Sequence, residues 1–212
     1  MQVGSKWVAF FSQTGSEIVS LIKKGYKPDL IITDNKESYD ERKTFFKYFN
    51  IEFWYRPLPK SINYKVQYYD EILNSKDIVT LHGWLNIVPA DTCERYTIYN
   101  GHPGHIVNYP ELKGKDPQER VFKNLKKYDT VGSVIHRVTD EVDGGEVVVV
   151  AEQSTNTNIK INSLDGMFGV CSALSLHTWE QFFRNSNIIL ETDLNYDGTF
   201  KNDRENNIPI YC

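Results

Sequence analysis

The sequence predicts an α/β protein built on an open, mostly parallel sheet flanked by helices, and three observations carry that reading. Residues Trp7–Phe11 form an apolar run without alternation, as a parallel strand covered on both faces requires. Strand-like and helix-like stretches then alternate through the first half of the chain. In the second half two β-rich runs, 130–138 and 146–152, are joined by the short, polar, glycine-containing segment 139–145, which is long enough only for an antiparallel pair.

After the first strand, Ile18, Leu21 and Ile22 recur at helical spacing. Ser16 is the expected N-cap, Lys23 and Lys24 suit the negative end of the helix, and Gly25 suits the position just past it. The unit repeats with a strand at Leu30–Thr33, a helix over 38–49 with Phe45, Phe46 and Phe49 on one face, and a strand at 51–54. Such alternation implies right-handed crossovers. A helix over 64–73, a strand at Ile78–Leu81 and a strand at 96–99 extend the sheet. From Ser163 onward Leu164, Met167, Phe168, Cys171, Leu174, Trp179 and Phe182 follow the helical period and predict one long amphipathic helix. The tail 187–212 is polar and carries no assignable pattern.

A chain of 212 residues with 40% hydrophobic content is expected to fold as one domain around a full core. The net charge of -4, with both signs spread along the chain, offers no basic stripe for a phosphate backbone, so a nucleic-acid partner is not expected. No apolar run reaches bilayer length and the start lacks a signal-peptide pattern, so the expectation is a cytoplasmic protein with no membrane partner. Cys93, Cys171 and Cys212 cannot all pair within the chain, and none lies in a CxxC pattern, which suits a reducing compartment. No metal site is expected, because His102 and His105 lack further ligands at a recognised spacing. Nothing in the pattern sets an oligomeric state.

In open parallel sheets ligands bind beyond the carboxyl ends of the strands, which directs attention to three connections. Ser12-Gln13-Thr14-Gly15-Ser16 follows the first strand, where backbone N–H groups at a helix start can hold an anion. Asn100-Gly101-His102-Pro103-Gly104-His105 follows the strand at 96–99 and sets an amide and an imidazole two residues apart, so that on extended backbone both face one centre. An amide N–H and an imidazolium there would stabilise the oxyanion formed when a carbonyl carbon is attacked. Val142-Asp143-Gly144-Gly145 lies between the antiparallel strands and reads by itself as a hairpin turn. A dinucleotide-binding reading would use Asp34 at the end of the second strand as a ribose ligand, but the required glycines are missing.

Taken together, Asn100-Gly101-His102-Pro103, the later Gly132-Ser133-Val134-Ile135-His136, and Asp143-Gly144-Gly145 resemble the motifs of the glycinamide ribonucleotide transformylase family of folate-dependent formyltransferases, in order and spacing. The similarity runs from the first strand to about Glu152. It implies a Rossmann-like half, 1–99, a catalytic and folate-binding half, 100–186, and 10-formyltetrahydrofolate as donor to a small-molecule amine acceptor, without a metal. It implies Asn100, His102 and Asp143 as catalytic residues, with His136 behind them. Asp143 beside His102 would raise the pKa of the imidazole. The family's folate pocket falls on backbone around 84–89 and 138–143, hence on Trp84, Leu85, Val88, Val138 and Asp140, and its phosphate turn on Thr14, Gly15, Ser16 and Glu17. Leu81-His82-Gly83-Trp84-Leu85 is similar to its folate-lining strand end. Three departures concern the acceptor: Glu17 stands where the ribonucleotide enzymes have Asn, Ser172 where they have a substrate-binding Glu, and the segment 109–117 differs from the family's usual loop after the His-Pro. Glu17 would repel a phosphate. A hydrolase that passes formyl to water, or a folate-binding protein without turnover, would share the same three residues.

Overall fold

The computed structural model describes residues 5–156 and 161–185. The predicted tail and Cys212 lie outside the described residues. Seven strands form one sheet in the order β3-β2-β1-β4-β5-β6-β7, comprising β1 (Trp7–Phe11), β2 (Leu30–Thr33), β3 (Glu52–Tyr55), β4 (Ile78–Leu81), β5 (Ile98–His102), β6 (Thr130–Arg137) and β7 (Val147–Ser154). The first five pair in parallel, and β6 and β7 run antiparallel to their neighbours. Helices α1 (Ser16–Lys23), α2 (Lys36–Tyr48), α3 (Ile62–Asp70), α4 (Ala90–Arg95), α5 (Pro117–Lys123) and α6 (Leu164–Asn185) cover the sheet. None of the described helices is long and apolar enough to cross a membrane.

Every residue of β1 is buried. Alternation sends Trp7, Ala9 and Phe11 into one layer with Ile18, Leu21, Trp179 and Phe183, and Val8 and Phe10 into the opposite layer with Tyr68, Tyr69 and Trp84. Burying each such side chain contributes about 1.5–3 kcal/mol. Because β1 pairs with β2 on one side and β4 on the other, the winding direction reverses at β1 and β4. That reversal opens a crevice beyond their carboxyl ends, where the segments after β1, β4 and β5 meet.

The structure moves several predicted boundaries. Gly15, not Ser16, is the N-cap of α1; it takes φ 65°, and a Cβ there would stand 2.9 Å from the Phe11 ring. Helix α2 starts at Lys36 rather than 38, because the Asn35 side chain accepts from Ser38 N at 3.1 Å and caps it. Strand β3 and helix α3 each begin a residue or two away from the expected positions. Strand β5 begins at Ile98 and continues through His102, so Asn100 and His102 lie in the strand rather than after it. The shift has a cause in α4, which ends at Arg95 with Tyr96 as its C-cap. Neither α4 nor α5, of six and seven residues, is long enough to show a helical period in the sequence.

Candidate active site

The antiparallel half of the sheet assembles the chemistry. Residues two apart on one strand share a face, so β5 aims Asn100 and His102 the same way, and its pairing with β6 sets His136 opposite Asn100. A β-bulge follows: Ile135 pairs with Val149 but His136 with Val147, leaving Val148 as the extra residue. The connection beyond it folds Asp143, at φ 49°, back over β5. Its Oδ2 stands 3.2 Å from His102 Nδ1 and its Oδ1 3.2 Å from His136 Nε2. Asn100 Nδ2 lies 3.1 Å from His136 Nε2 and 3.4 Å from Asp143 Oδ1. Gly101, between Asn100 and His102, admits nothing larger, since a Cβ there would lie 2.8 Å from Trp179 Nε1.

The hydrogen bonds assign roles. His102 Nε2–H donates to the Leu112 carbonyl at 2.9 Å, which leaves Nδ1 toward the Asp143 carboxylate. His136 Nδ1–H donates to the Arg137 carbonyl at 2.9 Å, and its Nε2 lies between Asn100 Nδ2 at 3.1 Å and Asp143 Oδ1 at 3.2 Å. Burial holds His102 below the ordinary imidazole pKa, and the nearby Asp143 charge and the Leu112 carbonyl oppose that shift without reversing it. The raised imidazole pKa expected from the sequence is therefore not found, because desolvation outweighs the carboxylate. Asp143 has its own balance: burial raises its pKa, but the contact with His136, the attraction of His102 whenever that ring is protonated and the backbone N–H of Gly114, donating at 2.8 Å, together hold it below the ordinary carboxylate value. An ionised carboxylate thus faces a largely neutral ring that can take a proton.

One cleft holds this cluster and a second adjoins it. The larger, of about 610 Å³, is lined by Asn100, His102, His136 and Asp143. Its walls also carry Trp84, Leu85, Val88, Val138 and Asp140, all five of the residues expected to line a folate pocket. Leu85, Ile87, Val142 and Phe168 expose 68%, 60%, 52% and 40% of their surface along it, a concentration of exposed apolar side chains suited to a flat aromatic ligand. The second, of about 470 Å³, contains Thr14, Gly15, Ser16 and Glu17 together with Ser172. Gly101 and Pro103 belong to both, so the two clefts open on opposite sides of the His102 segment.

No family model matches the chain. Phosphoribosylglycinamide formyltransferase from Dictyostelium discoideum is 34% identical over 104 residues, 45% of this chain and 49% of that protein. The match thus spans about half the length of that curated relative. The phosphoribosylglycinamide formyltransferase from Streptococcus pneumoniae superposes with a TM-score of 0.70 at 18% identity, covering 86% of this chain and 99% of that one. The fold is that of the formyltransferases. A formyltetrahydrofolate deformylase from Pseudomonas syringae shares it, with a TM-score of 0.67 at 14% identity over 86% of this chain and 61% of that one.

Within this formyltransferase fold some functional groups escape a reading of the sequence. Leu112 O and Gly114 N–H fix His102 and Asp143, and Arg120 holds their loop by donating through Nη2 to the carbonyls of Leu112 and Lys113 at 2.9 Å each. The only local signal is Gly114, at φ 80°, three residues before Pro117. Phe168 has the helical spacing of its neighbours, which gives no sign that it projects into the larger cleft. Glu17 is placed in the second cleft, yet its carboxylate turns inward: Oε1 accepts from Ser175 Oγ at 2.6 Å, and Oε2 accepts from Trp179 Nε1 at 2.8 Å and meets His82 Nδ1 at 2.5 Å. His82 faces this cleft rather than the apolar one, although Leu81, Gly83, Trp84 and Leu85 all reach the latter.

Proposed function

We propose that the chain transfers a formyl group from 10-formyltetrahydrofolate to the amine of a small acceptor. The observation that carries the proposal is the convergence of Asn100, His102 and Asp143 on an apolar cleft, beside the Gly101 and Pro103 that it shares with a polar one. The apolar cleft has the volume and exposed side chains for a pterin, with Leu85, Ile87, Val142 and Phe168 against the ring system. A bound donor supplies an activated formyl carbon. The acceptor amine, entering from the polar cleft, forms a C–N bond to that carbon, and the C–N bond to the folate nitrogen breaks. Asn100 faces the charge that develops on the formyl oxygen, and His102, on the same face of β5, offsets that charge electrostatically once protonated. The 3.4 Å contact of Asn100 to Asp143 is its weaker one, so that N–H is available for the oxygen to compete for. His102, held low in pKa by burial, takes the proton released by the amine, Asp143 stabilises the cation so formed, and the proton passes to the leaving nitrogen.

The test is incubation of the protein with 10-formyltetrahydrofolate and a pool of cellular amines, followed by mass analysis. A formylated amine whose appearance matches donor loss is expected. Donor loss with formate alone would make water the acceptor, and donor binding without any loss would leave a folate-binding protein.

A further inference from the structure

Glu17 sits in the first turn of α1 and lines the polar cleft beside the reacting centre. Four elements are built around its carboxylate. Trp7 Nε1 on β1 donates to Thr80 Oγ1 on β4 at 2.7 Å, and Thr80 meets His82 Nε2 at 2.9 Å. The other ring nitrogen of His82 reaches Glu17, while Ser175 and Trp179 approach it from α6. Each member has a partner of the right kind: the Thr80 hydroxyl accepts from Trp7 and donates to His82 Nε2, leaving Nδ1–H to donate to Glu17. These donors keep the carboxylate ionised against the cost of its burial. A quarter of its side chain is still exposed.

A fixed negative charge therefore occupies the helix end that would otherwise attract an anion. The rest of the cleft adds no permanent positive charge beside it. Among the described residues its lining has no Lys or Arg; hydroxyls of Thr14, Ser16, Ser20 and Ser172 and the amides of Gln13 and Gln118 dominate. The N–H of Ser16 is already engaged with Thr14 Oγ1 at 3.4 Å, and Arg42 spends its Nε–H on the Thr14 carbonyl at 3.0 Å.

We infer that this cleft selects a phosphate-free polar amine, hydroxylated or carrying a second cationic group, with Glu17 as the residue that rejects phosphate esters. The inference rests on the proposed formyl transfer only in taking this cleft as the acceptor side. Its test needs no donor. Phosphoribosylglycinamide and its dephosphorylated riboside are titrated into the wild-type protein and into Glu17→Gln, which keeps a hydrogen-bond acceptor and removes the charge. Wild type is expected to prefer the riboside by about tenfold or more, the size of a single like-charge contact, and Glu17→Gln to lose most of that preference. Tighter binding of the phosphate ester by wild type, no binding of either compound, or an unchanged preference in a folded Glu17→Gln would overturn it. Should Glu17→Gln fail to fold, the wild-type comparison decides alone. Absence of formyl transfer with every amine would instead count against the proposed reaction and leave the binding preference standing.

Discussion

Two histidine–carboxylate clusters lie on either side of the same strand end, and their difference separates architecture from chemistry. At Glu17 the carboxylate accepts from two side-chain donors and meets a ring whose second nitrogen faces a hydroxyl able to donate. That ring is fully satisfied while neutral. At Asp143 both nitrogens of His102 face acceptors, the Leu112 carbonyl and the carboxylate, so only a doubly protonated ring would satisfy them together. Burial resists that second proton. One cluster is settled in its ground state; the other, in the proposed reaction, gains a proton, and it is the one facing exposed apolar walls.

Substitutions can break this contrast. The largest effect is expected at the Asp143 cluster, where Asp143→Asn and Asn100→Ala should each lower formyl transfer about 100-fold or more, a loss much larger than any accompanying shift of the unfolding midpoint, as steady-state rates and urea titration would show. The Glu17 cluster should answer in the opposite currency. Glu17→Ala leaves the buried groups of His82, Ser175 and Trp179 without their acceptor and should destabilise the fold by about 1–3 kcal/mol, read from the same titration. The pH dependence sharpens the distinction. The pKa of Glu17 is lowered in the folded protein, so its ionised contacts contribute fully above the ordinary glutamate value of 4.5 and fade as pH falls through the folded value. Wild type should thus lose more stability on acidification than Glu17→Gln, measured by thermal unfolding at stepped pH. The smallest effect is expected on the apolar wall, where Leu85→Ser or Phe168→Ser should raise KM for the donor about 5- to 10-fold with little change in kcat.

The parallel half of the sheet is legible in the sequence because its strands are buried on both faces and read as unbroken apolar runs. The antiparallel pair is legible because a short connection permits nothing else. The positions that convey chemistry were readable only as motifs. Their approach depends on the bulge at Val148 and the positive φ of Asp143, neither of which leaves a hydrophobic period. The groups least visible were backbone ones: any residue supplies a carbonyl, so nothing in the identity of Leu112 announces that it holds His102. Glu17 shows a related gap. Its charge was evident, but the inward turn toward His82, Ser175 and Trp179 joins residues 65, 158 and 162 positions away.

The most direct measurement is single-turnover formyl transfer by His102→Ala beside donor affinity in the same variant. The account predicts a rate lower by about 100-fold or more with donor affinity within a few-fold of wild type, because His102 acts on charge and proton while the apolar wall holds the folate. A near-normal rate, or a loss explained entirely by weaker donor binding, would contradict it.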